Sequence, residues 1–160
     1  MVLLLQNVFQ DLPSDIHLTV SDKLFISLTS TKFKNVIVSK FDTKEDLRDA
    51  LSCSCYIPIF SGQNIPKLRN VKFLDGGLTN QLPIFDSETI KISPFSGKYK
   101  HICPPDIFPA NITVAGENMY LNKVNILRGV QAVSYLSDDK LSDYYHMGYE
   151  LTKQYLDTIK

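Results

Sequence analysis

The alternating run Val71-Lys72-Phe73-Leu74-Asp75 stops at two consecutive glycines, Gly76-Gly77. Alternation with a period of two is the pattern of a β-strand. Two glycines at its end let the backbone turn at once, with no Cβ in the way. The acid is left at the last position of a strand, where its carboxylate can face a pocket and act as a base. Taken alone, Asp-Gly is first a turn signal, so any chemistry must come from its surroundings.

Two earlier segments have the composition of strands. Leu24-Phe25-Ile26-Ser27-Leu28-Thr29 and Val36-Ile37-Val38-Ser39 are rich in β-branched and aromatic residues, and the short polar linker between them favours a hairpin over a crossover. Asp42-Thr43-Lys44-Glu45 resembles a capping box and predicts a helix over 43–54. Leu47, Ala50 and Leu51 share one face of it, and it must end before Pro58. A further strand is predicted at Glu88-Thr89-Ile90-Lys91-Ile92-Ser93, halted by Pro94, and residues 95–118 read mainly as loop.

Beyond that loop the period changes. Ile126, Val130 and Val133 fall on one helical face; Leu141, Tyr144, Gly148, Leu151, Tyr155 and Ile159 fall on another. Two amphipathic helices are expected, separated near Ser137-Asp138-Asp139, with Ser137 or Asp138 capping the second. Strands mixed with helices in this order predict an α/β domain with helices packed over a sheet. A chain of 160 residues with 44% apolar content is expected to form one domain.

Charge narrows the partners. The 17 basic and 17 acidic residues cancel, so bulk electrostatics recruits neither nucleic acid nor an anionic membrane. Three cysteines, Cys53, Cys55 and Cys103, argue against a disulfide framework and for a reducing, cytoplasmic setting. Met1-Val2-Leu3-Leu4-Leu5 is too short and lacks the basic flank of a signal peptide, and no stretch reaches the roughly 18 apolar residues of a spanning helix. Membrane contact is expected to be peripheral.

Several segments together resemble one family. Leu12-Pro13-Ser14-Asp15-Ile16-His17, Leu24 to Thr29, Phe41-Asp42-Thr43-Lys44-Glu45-Asp46-Leu47, Leu51-Ser52-Cys53-Ser54-Cys55-Tyr56-Ile57-Pro58, Phe73-Leu74-Asp75-Gly76-Gly77-Leu78-Thr79-Asn80-Gln81-Leu82-Pro83 and Ile92-Ser93-Pro94-Phe95-Ser96-Gly97 occur in the order seen in animal patatin-like phospholipase-domain proteins. The chain looks most like the adipose triglyceride lipase and adiponutrin branch, from about residue 11 onward. That resemblance implies the later portion of a three-layer α/β/α domain, closed by two C-terminal helices that cover the sheet. It implies a Ser-Asp dyad with Asp75 as general base and Gly76 and Gly77 as its supporting turn. No metal or organic cofactor is implied. The implied substrates are acylglycerols or phospholipids, met at a lipid droplet or membrane surface.

Members of that family carry a Gly-x-Ser-x-Gly elbow before the Asp-Gly motif, and this pattern occurs nowhere in the 160 residues. Neither Ser61-Gly62 nor Ser96-Gly97 has the upstream glycine. The chain is therefore expected to be the C-terminal half of a patatin-like domain, without a nucleophile and inactive alone. It would be a splice product, an incomplete reading of a lipase gene or a truncated relative. A fragment of that kind should expose apolar strand edges. The alternative function is a non-catalytic module that binds lipid surfaces or a lipase partner.

Other signals are weaker. Cys53-Ser54-Cys55 lacks the four ligands of tetrahedral zinc and reads as structural. His17, His101 and His146 have no catalytic context, and Asn111-Ile112-Thr113 reads as a chance glycosylation match. Tyr144, Tyr145, Tyr149 and Tyr155 could line a lipid groove, but at helical spacing they read first as packing residues.

Overall fold

Strands β1 (Ile26–Ser30) and β2 (Asn35–Val38) form the expected hairpin, antiparallel with Leu28 opposite Val36. The computed structural model describes residues 9–98 and 100–159. The short helix α1 (Ile16–Val20) precedes the hairpin. Pro13-Ser14-Asp15 supplies a start for it, and Ser21 turns the chain back by donating its hydroxyl to the His17 carbonyl.

Helix α2 (Lys44–Ser54) follows where the sequence placed it. Its cap sits one residue later than the capping box suggested. The Thr43 hydroxyl accepts from the Asp46 N–H, while the Asp46 carboxylate accepts from the Asp42 N–H. Arg69 closes on the same carboxylate at 2.6 Å. Burial pushes Asp46 up, but the Arg69 hydrogen bond, the Asp42 N–H and the guanidinium charge outweigh it, and the carboxyl sits below its ordinary range. Leu47, Ala50 and Cys53 of α2 are buried with Ile26, Leu28, Phe41 and Leu68 to make the core of this part of the chain.

Strands β3 (Lys67–Leu68) and β4 (Val71–Asp75) complete a four-stranded sheet in the order β2-β1-β4-β3, with every pairing antiparallel. Asp75 lies opposite Leu28 of the central strand β1. The edge strand β2 leaves Val36 and Ile37 exposed. The chain divides into two compact units, one up to Pro83 and one from Ile84.

The second unit departs from expectation in two places. Residues 88–93 do not form a strand: the Asp86 carboxylate and Thr89 hydroxyl tie the segment into a turn, and only Ile92 makes an isolated bridge, to Ile102. Part of the expected loop is instead a hairpin, β5 (Asn111–Val114) with β6 (Glu117–Tyr120). Its two-residue turn is Ala115-Gly116, with φ of +48° and +81°, the left-handed pair that matches strand twist. The Lys100 ammonium and Glu117 carboxylate form a buried ion pair, completed by the Ser93 hydroxyl.

Helices α3 (Lys123–Ala132) and α4 (Asp138–Thr158) close the described chain, so the mixed α/β composition with two C-terminal helices is observed. Ser137 caps α4 by accepting from the Lys140 N–H. The stripe read on α3 is not covered: Ile126 and Val130 are exposed, and the buried residue is Asn125. Asn125 is held by Ser96 and the Tyr120 carbonyl. Among the described residues, no helix is long and apolar enough to cross a membrane.

Candidate active site

Asp75 is the last residue of β4, and its backbone is held from two sides. Its N–H donates to the Tyr56 carbonyl at 2.9 Å, and its carbonyl accepts the Thr29 hydroxyl at 2.7 Å. The chain then enters a single 3₁₀ turn, Gly76–Leu78, capped by the Asp75 carboxylate itself: Oδ1 accepts from the Gly77 N–H at 2.7 Å. Among the described residues, Oδ2 accepts no hydrogen bond. Burial raises the Asp75 pKa above the ordinary carboxylate value, with the Gly77 N–H partly offsetting it. A half-buried carboxylate shifted this way is a stronger base than one in water.

The two glycines serve different ends. Gly76 is buried against β1, and a Cβ there would lie 2.1 Å from the Ser27 carbonyl oxygen. At Gly77 a Cβ would sit 3.0 Å from Asp75 Oδ1, so a side chain would press on the carboxylate. One glycine lets the turn dock on the sheet; the other keeps room beside the acid.

A polar clamp fastens this turn from β1 and β2. The Asn35 amide nitrogen donates to the Ser27 hydroxyl, the Leu28 carbonyl and the Thr79 hydroxyl. Ser27 donates to the Asn80 carbonyl, and the buried Thr29 hydroxyl also meets the Thr79 hydroxyl at 2.7 Å. Ser27, Thr29, Thr79 and Asn80 lie in the segments that carry the family resemblance and Asn35 in the polar linker before β2, and none of them is assigned a role from the sequence. The signal available was polar side chains at Ser27 and Thr29, two apart on a strand whose Ile26 and Leu28 are buried.

Asp75 and Gly77 open onto a cavity of about 380 Å³, lined also by Ser27, Ser54, Ile57, Leu78, Asn80 and Gln81. Both serines there are engaged, Ser27 as described and Ser54 by donating to the Ser27 carbonyl at 2.9 Å. Neither is set up as a nucleophile activated by Asp75. Cys55 lies close enough for burial and the Asp75 charge to raise its pKa, which keeps it a thiol. Burial, with the nearby Asp49 charge, pushes Cys53 up to about 11.

The histidines have other surroundings. His17 is in α1; His101 accepts from the Lys91 N–H and lies 5.7 Å from the Tyr155 ring; His146 meets Tyr145 edge-on. Among the described residues, no group of three His, Cys, Asp or Glu side chains is placed to hold a metal ion. Asn111-Ile112-Thr113 is part of β5. Of the tyrosines, Tyr144 is partly buried and bonds Gln131, while Tyr145 and Tyr149 are exposed.

Strand β4 thus delivers a half-buried carboxylate into a glycine turn beside a cavity, an arrangement open to more than one class of protein. Known proteins narrow that class. The chain is 38% identical over 156 residues to omega-hydroxyceramide transacylase of Homo sapiens, covering 94% of this chain and 29% of that protein. It is 34% identical over 149 residues to human patatin-like phospholipase domain-containing protein 4, covering 91% of this chain and 58% of that protein. Against the Mus musculus 1-acylglycerol-3-phosphate O-acyltransferase Pnpla3 it is 42% identical over 110 residues, covering 65% and 26%. The chain belongs to the patatin-like phospholipase domain family. It spans between about a quarter and three-fifths of the length of these relatives. No family model and no solved structure matches it.

Proposed function

We propose that the chain is the base-bearing, C-terminal half of a patatin-like domain that transfers or hydrolyses lipid acyl groups, with Asp75 as general base. The observation that carries this is the Asp75 turn: a carboxylate with one oxygen held by the Gly77 N–H, the other open, and a pKa raised by burial. The names of the relatives, an acyltransferase, a transacylase and phospholipase-domain proteins, support acyl-ester chemistry. Acylglycerols or phospholipids at a lipid-droplet or membrane surface are the substrates that fit.

In the reaction, a serine hydroxyl supplied by sequence outside these 160 residues attacks the ester carbonyl. Asp75 Oδ2 takes its proton and returns it to the leaving alcohol, leaving an acyl-serine. Water, deprotonated by the same carboxylate, releases the fatty acid; a second alcohol in its place gives acyl transfer. On this reading the 160 residues lack the Gly-x-Ser-x-Gly nucleophile. The chain alone should therefore fall far short of the roughly 8 kcal/mol or more that enzymes take from a barrier.

The test is ester hydrolysis by the chain mixed with the serine-bearing segment of a relative. Activity only in the mixture, reduced by about 10⁴ in Asp75→Asn, supports the reading. Activity of the chain alone, or an unchanged Asp75→Asn mixture, overturns it.

A second reading rests on a separate cavity of about 430 Å³ in the second unit, whose lining includes Phe95, Ile102, Leu136, Met147 and Leu151. It favours a non-catalytic module that binds lipid or a lipase partner. Lipid binding by the chain that survives Asp75→Asn, with no activity in an assembled mixture, would establish it.

A further inference from the structure

The segment Tyr56 to Pro66 contains no charged residue, and its tip carries two large apolar side chains in succession. Ile59 is 93% exposed and Phe60 63% exposed. A single exposed apolar residue needs no explanation, but this pair has a second property. Ile59 has φ of +77°, a conformation that β-branched residues rarely adopt. The fold gains no core contact from it, since the side chain points into solvent. Backbone strain of this kind clusters at functional segments.

The tip is also firmly built. The Ile57 N–H donates to the Ser61 hydroxyl and the Ser61 N–H to the Ile57 carbonyl, each at 3.0 Å. The Tyr56 hydroxyl donates to the Gly62 carbonyl at 2.7 Å. These bonds close the loop at its base and fix the direction in which Ile59 and Phe60 project. The same loop borders the site: Ile57 lines the Asp75 cavity, and the Tyr56 carbonyl accepts the Asp75 N–H.

We propose that Ile59 and Phe60 are the contact by which this unit enters a neutral phospholipid surface, setting the Asp75 cavity against the lipid. The inference rests on the acyl-ester reading above and supplies what it lacks, a residue-level means of reaching a substrate that resides in a surface. A lipid surface fits better than an acidic or basic partner because the loop offers only apolar and uncharged groups. It needs no anionic lipid, in keeping with the chain's zero formal net charge.

The chain contains no tryptophan, so Phe60→Trp places a unique fluorescent reporter at the tip. Titrated with vesicles of dioleoylphosphatidylcholine, this variant should show a blue shift, and brominated phosphatidylcholine should quench it. Partition of the unlabelled chain onto the same vesicles, measured by flotation, should fall roughly a hundredfold in the Ile59→Ser/Phe60→Ser double variant. Ile59→Gly separates binding from folding: it removes the backbone strain and should raise Tm while lowering partition about tenfold.

Emission from Phe60→Trp that vesicles leave unchanged overturns the proposal, as does equal partition of wild type and double variant, or no partition at all; the first two would direct attention to a protein partner at this loop. These readouts involve no ester cleavage and should be unaltered by Asp75→Asn. Loss of the catalytic reading and loss of this one are therefore separately visible.

Discussion

Replacing Gly76 by alanine should damage the fold more than any other glycine substitution in the first unit. The added Cβ would fall 2.1 Å from the Ser27 carbonyl oxygen, 2.3 Å from its carbon and 2.5 Å from its hydroxyl. Cβ atoms essentially never come within 3.0 Å of such neighbours, so the shortest contact must open by about 0.9 Å. The obstacle is main chain of the central strand β1, which is paired on both sides by β2 and β4 and cannot give like a flexible side chain. Moving it would strain the Ser54 hydroxyl bond to Ser27 and the Asn35 and Thr29 bonds that clamp the turn. Overpacking costs about 1–3 kcal/mol in ordinary cores, and a backbone obstacle belongs at or above the top of that range. Against about 5–15 kcal/mol for a whole domain, a loss of about 3 kcal/mol would be a large share of the stability. Urea unfolding of wild type, Gly76→Ala and Gly148→Ala provides the assay, read as a shift in midpoint at constant slope. Gly148 is helical with nothing within 4 Å of the added Cβ, so its alanine should be stabilising by about 0.5–1 kcal/mol. A Gly76→Ala midpoint within about 0.5 kcal/mol of wild type would refute the close-approach argument.

Other outcomes can be checked in the same way. Asp75→Asn should raise Tm at pH 7, because a carboxyl whose folded pKa is raised loses stability as pH climbs through that pKa; the gain should disappear below the unfolded value near 3.8. Thr29→Val should cost about 1–3 kcal/mol in urea unfolding, since it strands the Asp75 carbonyl and the Thr79 hydroxyl, and Thr29→Ser should restore most of it. Arg69→Ala should cost up to about 1 kcal/mol at pH 7, with the half-exposed guanidinium limiting the loss. As Asp46 has a lowered pKa, that cost should fade as acid protonates it, which a pH series of melts will show. Cys53, fully buried with a pKa near 11, should resist a thiol reagent at pH 8 in the native chain and react on denaturation.

Where one face of an element is buried, the sequence announced the element. The β1–β2 hairpin and α2 were legible because Leu28, Leu47 and Ala50 must all reach one core, and Ser137 was legible as a cap because its hydroxyl has a stated partner in the α4 backbone. The β5–β6 hairpin was not, because all four β5 residues are exposed and leave no buried alternation to read. Its signal was local, the Ala115-Gly116 turn. Residues 88–93 misled for the opposite reason: they alternate like a strand, yet Asp86 and Thr89 side chains claim the backbone first. At the site, Asp75, Gly76 and Gly77 could be named from a motif. The clamp of Ser27, Thr29, Asn35, Thr79 and Asn80 could not, since it is assembled from segments up to 53 residues apart whose pairing exists only once the sheet has formed.

The clamp grips Asp75 by its main chain, and among the described residues the one bond to its carboxylate, from Gly77 N–H, is one that an asparagine oxygen can also accept. Under the function proposed above, architecture and reactivity are therefore carried by separate, adjacent positions. A descendant that abandoned ester chemistry could exchange the acid without disturbing the turn, but could not exchange Gly76 without rebuilding β1. Across relatives of this chain, the residue aligned with Gly76 would record whether the scaffold survives, and the one aligned with Asp75 whether the proposed base survives with it.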